Sequence, residues 1–114
     1  IERDIRGEVV DSKVESRVSI GEGTRVVKSV VRGPALIGKH CLIENSVIGS
    51  YTSIGDYSRI VDSSLEHCIL LENVSINGVS RLEDSLIGRN AKISKNTRIG
   101  TVRLNVGDYS EIEI

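Results

Sequence analysis

SVVRGPALIGKHCLIENSVIGSYTSIGDYSRI, residues 29–60, holds two copies of one short unit, IGKHC (37–41) and IGDYS (54–58). The unit is an aliphatic residue, usually glycine next, then two variable residues and a small residue. It recurs outside the stretch as IGEGT (20–24), LENVS (71–75), IGRNA (87–91) and VGDYS (106–110). Written in rows of 17 from Lys13, the chain puts Val14, Val31, Ile48, Leu65, Leu82 and Ile99 in one column. An internal period of this length is the signature of a repeat architecture.

Within a row the apolar anchors advance by six, six and five, as in Val14, Ile20 and Val26 or Ile48, Ile54 and Ile60. A helix of 3.6 residues per turn would scatter these positions around its axis, and one long strand would need unbroken alternation. Three short strands per turn, joined at corners, satisfy the spacing. The fold expected is an all-β parallel β-helix of about six 17-residue coils filling residues 1–114. At a strand separation of about 4.8 Å it would make a prism about 30 Å long.

In each unit the aliphatic residue is expected to point inward, and the small residue as well. The glycine is expected to supply a corner conformation costly to residues with a Cβ. Ser29, Ser46, Ser63, Ser80 and Thr97 form a second column with the same period, and stacked hydroxyls there could satisfy polar groups at the edge of the core. The register slips by one residue after Leu71, where the anchors move to Ile76, Ile87 and Ile93. Pro34, the only proline, falls at a corner.

Composition agrees with a thin aliphatic core. Hydrophobic residues make up 39% of the chain, with no Phe, Trp or Met and three Tyr, so Val, Ile and Leu carry the packing. Fifteen basic residues are scattered among sixteen acidic ones for a net charge of −1, which removes the electrostatic case for nucleic acid or an anionic membrane. No apolar stretch approaches the length of a spanning helix and nothing resembles a signal peptide, so a cytoplasmic location is expected. The absence of methionine together with Ile1 points to a piece of a longer protein.

The hexads resemble those of the hexapeptide-repeat superfamily, and the resemblance implies a left-handed β-helix. Residues 29–60, followed by EDSLIG (83–88) and VGDYSEIEI (106–114), are similar to the tail of the sugar-nucleotidyltransferases, in particular the long glucose-1-phosphate thymidylyltransferases. What this implies is a C-terminal structural and oligomerisation domain. The parent enzyme would convert glucose 1-phosphate and dTTP to dTDP-glucose and pyrophosphate, with Mg²⁺ held in a preceding domain. The alternative is an acetyl-CoA-dependent hexapeptide acetyltransferase acting on a sugar or sugar nucleotide. Rows that run almost without insertion count against it, because such enzymes often carry a protruding loop beside the acceptor.

No Gly-rich loop here follows a strand and opens a helix, so Gly21 to Gly23 reads as a repeat corner and not as a phosphate cradle. No catalytic, cofactor-binding or metal-binding residue is expected in this segment. His40 is the one acyl-transfer candidate, with Tyr57 one coil along in its column, and His67 reads as an exposed corner residue. Two histidines do not make a three-histidine zinc site. Cys41 takes a small inward position, and neither it nor Cys68 suggests a disulfide or a nucleophile. Asp56, Asp62, Asp84 and Asp108 fall at corners, where Asp favours turns. A homo-oligomer is expected, a trimer by resemblance, through outward residues among which Leu42, Tyr51, Tyr57 and Leu70 are the candidates.

Overall fold

The computed structural model describes residues 3–94 and 104–113. The expectations at Thr97 and Ile99 lie outside the described residues. Those described contain nineteen short strands and no helix, and every strand pair is parallel. Three sheets result, each built from strands of successive coils. Face one comprises Asp4–Ile5, Val18–Ile20, Ala35–Ile37, Thr52–Ile54, Ile69–Leu70, Leu86–Ile87 and Asn105–Val106. Face two comprises Glu8–Val10, Arg25–Val27, Leu42–Glu44, Arg59–Val61, Ser75–Asn77, Lys92–Ser94 and Glu111–Glu113. Face three comprises Lys13–Val14, Val30–Val31, Val47–Ile48, Ser64–Glu66 and Leu82–Glu83.

The resulting prism measures 35 × 24 × 21 Å. Its core is a set of aliphatic columns, because the strands of each face repeat the inward side chain of the coil before. Ile20, Ile37, Ile54, Leu70 and Ile87 stack behind face one, and Val26, Ile43, Ile60, Ile76 and Ile93 behind face two. Val14, Val31, Ile48, Leu65 and Leu82 pair in unbroken register on face three, as the period of 17 requires.

The register slip lies in a different place from the one the sequence suggests. Ile54 pairs with Leu70 and Ile60 with Ile76, so the coil loses a residue at the corner between Leu65 and Leu70. It regains the residue between Ile76 and Leu82, at a bend where Gly78 takes φ +75°. Strand side chains alternate, so moving the loss by one position reverses which side chain faces inward. Leu70, expected on the surface as a contact residue, is 1% exposed and belongs to the core, while Leu71 is on the outside. Val74, not Ser75, fills the small inward position, and Val79 takes the place expected for the exposed Ser80.

The hydroxyl column is real along Ser12, Ser29, Ser46 and Ser63. Each hydroxyl donates to the carbonyl two residues earlier, at 2.7 to 2.9 Å. Each accepts the N–H of the next coil, Ser29, Ser46, Ser63 and Val79 in turn, at 3.0 to 3.1 Å. Thr52 shows the opposite case. It is 2% exposed, and its Oγ1 is the only buried side-chain polar atom without a partner among the described residues. A buried hydroxyl that makes no hydrogen bond pays its desolvation cost without return. Thr52→Val keeps the shape and removes the hydroxyl, so it is expected to stabilise the fold by about 1 kcal/mol. Thermal melting checks this, and a lower melting temperature would contradict it.

Corner glycines serve a purpose other than the one expected from sequence. Gly21, Gly38, Gly55 and Gly88 do not have the left-handed backbone. A Cβ on Gly21 would meet Gly38 C and O of the next coil at 2.6 Å, so these positions are glycine because stacked coils touch there. The left-handed residues come two places later, at Gly23, His40, Tyr57, Asn73, Asn90 and Tyr109, with φ between 55° and 78°.

Candidate functional site

The outward column of face one runs Ser19, Leu36, Ser53, Ile69, Leu86 and Asn105. Leu36, Ile69 and Leu86 are 59%, 51% and 44% exposed, three apolar side chains on the outer side of face one. The strip they make forms the floor of an open groove of about 910 Å³. One rim is a corner column of Arg17, Pro34, Tyr51, His67 and Asp84, one residue from each successive coil. Arg17, Tyr51, His67 and Asp84 have φ between 48° and 62°, a conformation that swings each side chain out from the corner.

His67 and Asp84 are 17 residues apart and therefore neighbours on adjacent coils. His67 Nδ1 lies 2.6 Å from Asp84 Oδ1, and the Tyr51 ring meets the imidazole edge-on with centroids 6.3 Å apart. With Nδ1 donating to the carboxylate, the imidazole is fixed in orientation and Nε2 is left to face other groups. Both partners are substantially exposed, so the pair contributes little to stability and its interest is chemical.

The histidine singled out from sequence lies on the far corner. His40 stacks on Tyr57 with centroids 5.1 Å apart and planes 20° from parallel. Its ring packs over Gly23, where a Cβ would collide with Nδ1. The corner aspartates hold the coils together. Asp56 Oδ1 accepts the Lys39 N–H at 2.8 Å, Asp108 Oδ1 the Arg89 N–H at 2.7 Å, and Asp62 Oδ1 the amide of Asn45 at 2.8 Å. Of the contact candidates, Tyr51 stands on the groove rim, Tyr57 on the opposite corner and Leu42 outward on face two.

Cys41 and Cys68 are free and buried, with Cys41 Sγ 3.2 Å from Gly55 O and Cys68 Sγ 3.3 Å from Glu66 O. Burial pushes both thiols above the ordinary range, against the smaller lowering effect of their hydrogen bonds. The folded state therefore holds its thiol protons more tightly than the unfolded state. That contribution to stability is complete at neutral pH and is lost as pH rises through the titration of the folded thiols. A disulfide reagent at pH 7 is expected to label neither cysteine in the native protein and both in denaturant. Rapid native labelling would place them outside the core.

Among the described residues no three His, Cys, Asp or Glu side chains converge on one point. Among the described residues no helix is long and apolar enough to cross a membrane. Sequence reading missed the groove and the His67–Asp84 pair. The signal was present: one step of 17 links His67 to Asp84 and Ile69 to Leu86, and one of 16 links Ser53 to Ile69.

The architecture and its corner chemistry define a left-handed parallel β-helix of hexapeptide repeats. Perosamine N-acetyltransferase from Caulobacter crescentus, solved as an H141N mutant with CoA and GDP-perosamine, has the same fold. It superposes with a TM-score of 0.67 at 16% identity, over 92% of this chain and 53% of that one. In sequence, the chain is related to glucose-1-phosphate thymidylyltransferases. It is 44% identical to that of Streptomyces antibioticus over 102 residues and 38% identical to that of Streptomyces griseus over 104. These matches cover 89% and 90% of the chain, which spans 29% of each relative's length. No family model matches.

Proposed function

We propose that this β-helix is the C-terminal assembly module of a sugar nucleotidyltransferase that makes dTDP-glucose and pyrophosphate from glucose 1-phosphate and dTTP. The observation that carries the reading is the 44% identity across 89% of the chain. Substrate binding and Mg²⁺ belong to the remaining part of such an enzyme. The module contributes a rigid prism with a face for association into a homo-oligomer, for which threefold symmetry is the arrangement the family resemblance suggests. The test compares the purified chain with the product of the whole gene that encodes it. Pyrophosphate release from dTTP, glucose 1-phosphate and Mg²⁺ is expected of the second and not of the first. Release by neither would overturn the reading.

One observation favours a second reading, acyl transfer. His67, oriented by Asp84 at the edge of a groove, has the geometry of a general base, and the fold is shared with an acetyltransferase. Under this reading acetyl transfer to an amino sugar nucleotide disappears in His67→Ala and survives in His40→Ala. Absence of any transfer by the wild-type protein would remove it.

A further inference from the structure

We propose that Asn77 is a site of spontaneous deamidation, and that opening of one corner of the prism sets its rate. Asn77 is the one asparagine in the chain followed by glycine, and it stands exposed at the end of the strand Ser75–Asn77. Glycine carries no Cβ beside its own nitrogen, so residue 78 puts no side chain in the way of that nitrogen reaching the preceding amide. The corner that follows is the bend where the shortened coil takes back its residue, with Gly78 at φ +75°. Once the Gly78 N–H gives its proton to hydroxide, the nitrogen attacks Asn77 Cγ. A C–N bond forms, the Cγ–Nδ2 bond breaks, and ammonia leaves with a proton taken from water. Water then opens the succinimide ring at either carbonyl, giving aspartate or isoaspartate.

The folded coil opposes this reaction. In an extended strand the side chain stands out of the sheet, whereas the next N–H lies in it and bonds to the neighbouring strand. Gly78 N–H donates to Val61 O at 2.9 Å, and Asn77 is held in register with Val61 on one side and Ser94 on the other. The next link is Val79 N–H to Ser63 Oγ at 3.0 Å, with the Val79 side chain buried in the core. Ring closure therefore waits for this corner to leave the ladder, a local opening that the rest of the prism need not share. Either product places a new carboxylate on the outer side of face two. Isoaspartate also lengthens the backbone by one methylene, so that form no longer fits the register that Val61 and Ser94 define.

The test incubates the purified chain at mildly alkaline pH and follows the tryptic peptide from Ile60 to Arg81 by mass spectrometry. Asn73, followed by valine in the same peptide, is the internal control. Asn77 is expected to convert in the native chain, and about tenfold or more faster in denaturant. Denaturant well below the unfolding midpoint should change the native rate little, because opening one corner exposes little surface. Ser63→Ala removes the acceptor of the Val79 N–H and should speed native conversion about threefold or more. Ser29→Ala removes the equivalent acceptor two coils away and should leave the rate unchanged. Equal rates in native and denatured chain would overturn the gating by the corner. So would a native rate that climbs with denaturant as steeply as global unfolding does, or equal acceleration by the two alanine variants. Conversion of Asn73 as fast as Asn77 in the native chain would overturn the site itself.

Discussion

Ile54→Asp is expected to unfold the middle of the prism. Ile54 is 2% exposed and stacked between Ile37 and Leu70, with the Ile20 and Ile87 side chains continuing the column. Removing the isoleucine forfeits about 2 to 3 kcal/mol of buried apolar surface. Putting a carboxylate there adds several kcal/mol more, since no cation or donor lies in the column to pair with it. The sum approaches the total stability of an ordinary domain, about 5 to 15 kcal/mol. Coils in a solenoid are supported only by their neighbours, so the damage spreads from the fourth strand of face one toward both ends. Loss of the β spectrum or of soluble protein is the expected result. Leu36→Asp, one coil away on the outer side of the same face, is the control and should melt as wild type does. Equal melting of both variants would show that the inward column has been misassigned.

Gly55→Ala is expected to cost about 3 kcal/mol, far more than one methyl group costs at an exposed turn. The added Cβ would lie 2.5 Å from Leu71 O and 2.6 Å from Leu71 C. Both are backbone atoms of the next coil, so no side-chain rotation relieves the contact. The coils would have to separate locally, which stretches the hydrogen bonds from Gly55 N–H to Leu70 O and from Arg59 N–H to Val74 O. Chemical denaturation should show a lower midpoint with an unchanged slope, because the amount of surface exposed on unfolding stays the same. A cost below about 1 kcal/mol would mean that the corner relaxes freely, and that glycine is there for its backbone conformation after all.

Much of the fold was legible because a parallel β-helix writes its geometry into a single period. Val31, Ile48, Leu65 and Leu82 share a column in the sequence and pair in the structure, since each coil must repeat the backbone path of the last to keep its hydrogen bonds. The serine column was legible as far as Ser63 for the same reason. The site was less legible. His67 and Asp84 can be placed in one column by counting, and so can His40 and Tyr57, yet the period says nothing of which corner side chains turn toward each other.

By itself, then, the sequence determined the period, the parallel stacking and the aliphatic nature of the core, all of which depend on spacing along the chain. Only the tertiary structure decided where the shortened coil loses its residue. Leu70 and Leu71 are equally apolar, and the choice between them is made by the strands above and below: Ile54 and Ile87 fix the inward line, and Leu70 alone falls on it. That choice brings Ile69 outward into line with Leu86 and so creates the apolar strip of face one. The crowding that demands glycine at the corners is likewise a property of two coils in contact, which no single coil's sequence contains.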